Sequence, residues 1–344
     1  VRALAAIGFL CGLVLAIGLV LANGVGAIWQ SLLRLVWTGF AAVIGFHLCL
    51  IALMGLAWWL LGRNRVDAAP WRFIWGRLIR DSASEALPLS QLGGFILGAR
   101  ALALTGTSGI FAAAATVVDV TVELVAQLVY TGLGLLLLER LRPDNSFARP
   151  ALIGVVAMTV AVAAFIAVQA KGAGLVERIS NRVSRELLGK DLAQAGGVQA
   201  SIRALHTRHG ALLVATSLHG VCWLLSAVET WVTLRLMSVP LSLPAALIID
   251  SLLYGMRSMA FLVPNAVGVQ EGGLMVLGGM FGVNHEASLA VSLVKRGRDL
   301  VIGIPALLIW QTVESRRAFH RKVSKQRLTA TASDGDLSAK HGVF

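Results

Sequence analysis

Apolar positions in this chain come in long runs separated by short, basic stretches. Residues 3–21, 36–61, 109–138, 150–170, 211–237 and 286–311 each approach or exceed the roughly 20 apolar residues that an α-helix needs to cross about 30 Å of hydrocarbon. These runs predict six membrane-spanning helices. The first is expected to be retained, since no convincing small-x-small cleavage site follows it. Gly8 and Gly12 give that run a small face for close helix packing. Trp58 and Trp59 end the second run, as residues of an interfacial aromatic belt do. Residues 62–80 then read as a basic connector. Trp71 and Trp75 within it share one face of a helix expected to lie on the membrane surface.

Two further apolar stretches are interrupted. Residues 81–107 contain Pro88, Gly93, Gly94 and Gly98, with Arg100 inside. Residues 240–283 contain Pro240, Pro244 and Pro264, the charges Asp250, Arg257 and Glu271, and five glycines between Gly268 and Gly279. Irregular backbone at membrane depth survives only where protein buries it or where it lines a watery cavity. Both stretches therefore predict re-entrant hairpins of broken helix. The fold class is all-α, a polytopic membrane protein with about six full spans and two such hairpins. The order span, break, span occurs twice, in halves of about 36–138 and 211–311. A shift of 176 residues lays Pro88 on Pro264, Gly106 on Gly282 and Glu123 on Asp299. An inverted repeat produces this pattern and places binding sites near the midplane, at discontinuous helices. Residues 1–318 form one transmembrane domain in this reading. Residues 171–209 make an amphipathic cytoplasmic loop, and 319–344 a basic, disordered tail.

Composition supports the class: 57% of residues are apolar and 14% charged, with a mean hydropathy of +0.77. The net charge of +12 lies mainly beside the apolar runs. That distribution fits anionic lipid headgroups at cytoplasmic loops rather than nucleic acid. Cys11, Cys49 and Cys222 fall inside apolar runs and read as small buried hydrophobes. No P-loop pattern occurs, the seven histidines lack metal-ligand spacing, and no nucleophile stands at a spacing that pairs it with a base. No catalytic residue, metal or cofactor is expected, and the chain does not read as an enzyme. His47 and His219 read as packing residues, His206 and His209 as solvated ones.

The candidate binding residues are charges inside the apolar runs. Arg100, Arg257 and Arg296 suit a phosphate or carboxylate headgroup, which guanidinium binds in bidentate fashion. Glu123, Glu229 and Glu271 either balance those arginines or exchange protons. The alternative is that these charges form internal ion pairs that hold the bundle together, and Arg235 and Asp299 fit that role equally. Gly268, Gly272 and Gly273 are expected to allow close backbone approach, so that Gly272→Leu would clash. Arg100 and Glu271 are expected to meet in one central site. Asp250 and Arg257 are expected near an interface, while Lys295 and Arg298 are expected to snorkel outward.

The segments PNAVGVQEGG and FGVNHEASLAVSLVKRGRDLVIGIPALLIWQ resemble the signature of the lysylphosphatidylglycerol synthase transmembrane, or flippase-like, family. LPLSQLGGFILGARALALTG resembles its first-repeat counterpart, although Gly94 and Phe95 stand where that family often has a glutamate. Within the family the chain is most similar to the branch associated with hopanoid biosynthesis. The resemblance implies two membrane-embedded hairpins around a headgroup cavity and movement of a lipid between leaflets. Full synthases carry a soluble catalytic domain after the membrane part. Some thirty residues follow the last span here, so aminoacyl transfer is not expected.

Three functions follow as expectations. The first is a translocase for a polar or polycyclic lipid, hopanoids included, in the bacterial inner membrane. The second is a non-catalytic membrane partner of a lipid-modifying or hopanoid-biosynthesis enzyme. The third is a membrane-embedded enzyme acting on a headgroup. The excess of Lys and Arg in 62–80, in 171–209 and in the tail predicts that these segments share the cytoplasmic side. A single cysteine at position 190, in a background without the native cysteines, should label from the cytoplasm. Labelling from the periplasm would overturn the topology.

Overall fold

The computed structural model describes residues 10, 13–15, 17–63, 69–86, 90–143, 146–171, 195–260 and 263–340. Among these residues the chain is helical throughout, with no strand. With little water to satisfy backbone N–H and C=O groups, an apolar chain satisfies them within each helix. A helical segment Leu13–Ala22 bends by 86° into α1 (Val25–Leu33). The bend falls at Gly24, whose φ is 81°. Then follow α2 (Val36–Gly62), α3 (Pro70–Ala86), α4 (Ser90–Leu104), α5 (Gly109–Leu141) and α6 (Ala148–Lys171). The remainder is α7 (Ala195–His206), α8 (His209–Leu236), α9 (Leu243–Met259), a 3₁₀ turn (Pro264–Ala266), α10 (Val269–Gly279) and α11 (His285–Lys340).

Four of these helices, α2, α5, α6 and α8, are long and apolar enough to cross a membrane. The bent pair of Leu13–Ala22 with α1 makes a fifth if it counts as one span. The run 286–311 lies in α11, where Lys295, Arg296, Arg298 and Asp299 interrupt the apolar sequence. Gly8, Gly12 and Cys11 lie outside the described residues. So do Pro88 and most of the 171–209 loop. Helix α11 continues to Lys340, where composition predicted a disordered tail. Ala, Leu, Lys and Arg recur there, and all favour helix.

Helix α5 is the spine. It packs against α2, α4, α6, α7, α8 and α9, and 61% of its apolar window is buried, against 11% for α6. One core cluster joins Trp58 and Leu61 of α2, Phe73 of α3, Leu102 of α4 and Ala112 to Val122 of α5. Helix α7 docks on this cluster through Val198, Ile202 and Leu205, spaced as one helical face. His206, at the end of α7, meets the Gln169 side chain at 3.2 Å. Burial lowers its pKa, so the folded protein favours the neutral ring, and that contribution to stability is lost as pH falls and the ring must charge. A second, larger cluster joins Leu135 and Leu138 of α5 to α9, α10 and the first turns of α11.

Residues 70–80 correct the expected surface connector. They belong to α3, which packs between α2, α4 and α11. Phe73, Arg77, Ile79 and Arg80 are buried, and only Trp71 of the two tryptophans is exposed. Trp58 is likewise no belt residue, being fully buried edge-on to Phe73 at 5.7 Å. Of the two described cysteines, Cys222 is buried as expected and Cys49 is exposed.

Helices α3 and α4 form the first hairpin, and glycine sets their spacing. A Cβ at Gly98 would lie 2.6 Å from Arg80 Cβ and 3.0 Å from the Gly76 carbonyl oxygen. The second hairpin, α9 and α10, breaks at Pro264–Asn265–Ala266, with Asn265 and Ala266 at φ of 52° and 44°. Ser242 caps α9, accepting from the Ala245 N–H, with proline in the first turn. The expected clash at Gly272 is not found. A Cβ there meets nothing within 4 Å, whereas one at Gly273 would lie 2.8 Å from Leu253.

Gly98→Ala should therefore lower the thermal midpoint in detergent, by an amount equivalent to about 1–3 kcal/mol of overpacking. Gly272→Ala should leave it unchanged or raise it, since alanine favours helix by up to about 1 kcal/mol. Equal losses in both would show that the first hairpin is not close-packed at Gly98.

Candidate functional site

Polar residues on α5 fall at Thr116, Asp119, Glu123, Gln127 and Tyr130, three or four apart and so along one face. Each of the last four bonds to groups on neighbouring helices. Arg77 of α3 reaches Glu123 with both terminal nitrogens, at 2.7 and 3.0 Å, and bonds Asp81 through Nε at 2.7 Å. Arg80, one turn on, donates to Asp119 at 2.7 Å and also to Glu123, with Phe95 of α4 beneath it at 4.6 Å. His219 of α8 meets the other Asp119 oxygen at 3.1 Å. Two cations three residues apart on α3 thus face two carboxylates four apart on α5. Gln127 bonds the Tyr254 carbonyl and Ser258 on α9.

Lower on α5, Tyr130 donates to Asp250 of α9 at 3.0 Å. Asp250 has no exposed surface, and it accepts three more bonds, from Ser226 at 2.9 Å, Thr230 at 2.6 Å and Lys295 at 2.9 Å. Four donors make this an anion-holding cage. Beside it, Arg298 pairs with Glu229 and with Asp299 at 2.7 Å. His47 of α2 lies 3.0 Å from Glu229 and 4.0 Å from Asp299. Three helices, α2, α8 and α11, are joined at this point.

The break of the second hairpin carries its own charge. Glu271, in the first turn of α10, accepts from the Gly268 N–H at 2.8 Å, Ser292 at 2.9 Å and Arg296 Nε at 2.7 Å. Gly268 can cap this turn because it takes a φ of 82°, which side-chain-bearing residues avoid. One terminal nitrogen of Arg296 is buried without a partner among the described residues. Nearby, Arg257 of α9 pairs with Glu85 of α3 at 2.8 Å, and Asn265 donates to the Glu85 carbonyl at 3.1 Å. The two hairpins therefore meet at their turns.

Several expectations change. Arg100 and Glu271 do not meet. Arg100 pairs with Glu314 of α11 at 2.6 Å, and Glu271 pairs with Arg296. Asp250 is a central residue, not an interfacial one, and Lys295 and Arg298 are buried in ion pairs rather than snorkelling. Gly272 faces open space and brings no backbone close. His206 is bonded rather than solvated, while Arg235 is exposed and lies over the Trp231 ring at 5.2 Å. Arg77, Arg80, Glu85 and Glu314 do not stand out as site residues in the sequence. The matched spacing of Arg77 and Arg80 with Asp119 and Glu123 is the signal that could find the first pair.

Breaking a buried pair from one side leaves a lone charge, at a cost of about 3–5 kcal/mol. Asp250→Asn and Lys295→Met should each destabilise the protein on that scale in detergent melts. The double variant should lose clearly less than the sum, because the second change removes an interaction already broken. Additive losses would show that the two side chains do not pair.

Such an array gives a membrane bundle several charged groups that can exchange partners, among them an arginine with a donor unsatisfied beside a helix break. Nothing among curated proteins or solved structures matches the chain. The family model described as the lysylphosphatidylglycerol synthase TM region matches residues 5–306, and the chain belongs to that family, as a membrane protein of lipid metabolism or transport.

Proposed function

We propose that this chain is a translocase that moves a lipid with a polar headgroup between the leaflets of a bacterial inner membrane. The observation that carries this reading is Arg296. It stands beside the break before α10, pairs with Glu271 through Nε alone, and keeps another nitrogen unsatisfied among the described residues. Ionisable groups inside a membrane are costly and mark pathways for polar cargo. A phosphate would satisfy that nitrogen and compete with Glu271 for the guanidinium. The resemblance to the hopanoid-associated branch puts polycyclic lipids with polar heads among the first substrates to test.

An inverted repeat would supply the two-sided access that such movement needs. Three features support it. Helices α3 and α9 are both 17 residues long, and each begins a hairpin followed by a longer, charged helix. The shift of 176 lays Asp119 on Lys295 and Glu123 on Asp299. The ion pairs also join corresponding helices with their signs exchanged. Cations on α3 meet carboxylates on α5, and a carboxylate on α9 meets a cation on α11.

The test is a leaflet-resolved assay on purified protein in liposomes, using a headgroup-labelled anionic lipid and a membrane-impermeant quencher. The wild-type protein should equilibrate the label between leaflets well above protein-free vesicles. Arg296→Gln should slow this at least about tenfold, the loss expected for a charged hydrogen bond, in protein that still folds in detergent, while Glu271→Gln, which breaks the same pair, controls for the lost stability. A static lipid in wild-type vesicles would favour the alternative, a membrane partner of a lipid-modifying enzyme. Chemical change of the lipid would favour an enzyme.

A further inference from the structure

We infer that His47 is a proton-binding site, whose charged ring joins α2 to Glu229 of α8 and Asp299 of α11 and ties lipid movement to a proton gradient. This rests on the lipid-handling function proposed above and gives it an energy source.

His47 stands near the middle of α2, between two carboxylates. Its Nδ1 lies 3.0 Å from Glu229 and its Nε2 4.0 Å from Asp299, so each ring nitrogen faces an anion. One nitrogen of a neutral ring is an acceptor, and an ionised carboxylate offers it no proton. A charged ring is a donor on both sides. The remaining member, Arg298, pairs with both carboxylates. With the ring neutral, two carboxylates face one cation; with it charged, they face two. A surplus charge away from water is costly, so the assembled junction favours the charged ring. Side-chain exposure is 3% for Glu229 and 4% for Arg298, but 21% for His47 and 13% for Asp299. His47 is therefore the member that an incoming proton reaches first.

Helices α3, α5, α8 and α11 pack against α2, and their other charges are matched elsewhere. On α11, Lys295 bonds Asp250 and Arg296 bonds Glu271. On α3 and α5, Arg77 and Arg80 hold Asp81, Asp119 and Glu123, while Glu85 pairs with Arg257. Arg72 and Arg235 stand near helix ends, over Trp71 and Trp231, and Glu139 and Arg140 are exposed at the end of α5. Cys222 of α8 belongs to an apolar cluster with Leu50 and Met54. His219 differs from His47, because it meets Asp119 with neither side chain exposed and Arg80 already balances that carboxylate. The proton on His47 thus sits at a joint of α2, α8 and α11. Parting these helices removes the carboxylates that hold it, and adding it draws them together, since binding and closure are reciprocal. The proton comes from water and returns to water, and the N–H bond of the ring is the bond made and broken. Arg298 lies two residues from Arg296, so the same joint positions the helix that carries the headgroup contact.

The test uses the full-length protein with isotope-labelled histidine in detergent, where imidazole nitrogen resonances report the charge of each ring. His47→Gln identifies the His47 signal by its loss. As pH falls from about 8 to about 5, the range in which imidazole changes charge, the His47 ring should become charged in the folded protein. Asp299→Asn, which removes the surplus carboxylate, should weaken that proton binding about tenfold or more. In liposomes with the membrane voltage clamped, a gradient of about one pH unit is tenfold in proton activity. Coupled movement should shift the ratio of a headgroup-labelled lipid between leaflets by up to about tenfold, and His47→Gln should leave it even. If His47→Gln melts early, Asp299→Asn decides, since it keeps the His47–Glu229 contact. A His47 ring in one charge state throughout would mean a fixed hydrogen bond and overturn the inference. So would a label that moves in wild-type vesicles yet stays evenly spread under the gradient. A label that does not move at all would sink translocation instead, and the titration alone would then decide the proton site.

Discussion

The structure depends on the cost of holding charge away from water. A single charged side chain at the centre of a span costs about 2.5–3.5 kcal/mol on insertion scales, and this protein buries Asp119, Glu123, Glu229, Asp250, Lys295 and Arg298 together. None is tolerable alone, so each fixes where another helix must stand. Arg77 and Arg80 fix α3 against α5. Lys295 and Arg298 fix α11 against α9 and α8. A buried ion pair adds little net stability compared with well-packed apolar residues. Its effect here is on register, because a helix that slides by one turn loses every partner at once.

That constraint explains the glycines better than backbone freedom does. Bidentate contact between Arg77 and Glu123 needs α3 held within an arginine's reach of α5, and α4 packs against both. Gly76 and Gly98 let α3 and α4 approach almost backbone to backbone, which leaves the Arg80 stem no room to turn away. The same economy recurs between α5 and α9. There a Cβ at Gly255 would lie 2.9 Å from Thr131, one residue along from Tyr130, which bonds Asp250. Small residues thus bring charged groups to bonding distance, and the charges forbid the helices from drifting apart.

The class was legible in the sequence because an apolar run of span length can satisfy its own backbone in hydrocarbon by coiling into a helix. Both breaks were legible too, since proline and glycine inside apolar stretches have a restricted set of physical outcomes. The pairing was not. Individual charges such as Glu229 and Arg296 stood out by position, but nothing local says that Glu229 meets Arg298 rather than Arg235. Basic character also misled at Arg77 and Arg80. Arginines next to a span usually lie at an interface, and only the carboxylates 39 to 46 residues further on bring these two inside. Gly272 misled differently. Its neighbour Gly273 carries the close contact with Leu253, a difference of one helical position that composition does not encode.

Helix α9 ties the charged interior to the membrane side. At 3.6 residues per turn, Asp250, Tyr254 and Arg257 fall along one face. Leu252, Gly255, Met256 and Met259 fall on the opposite one. The polar face makes contacts that are short-range and strongly dependent on geometry: Asp250 accepts from four donors, and Arg257 pairs with Glu85 at the junction where the two hairpins touch. The other face packs through methionine, which adapts to its neighbours. A shift of α9 costs little on the soft face and breaks several bonds at once on the polar one, so the charged side sets its register.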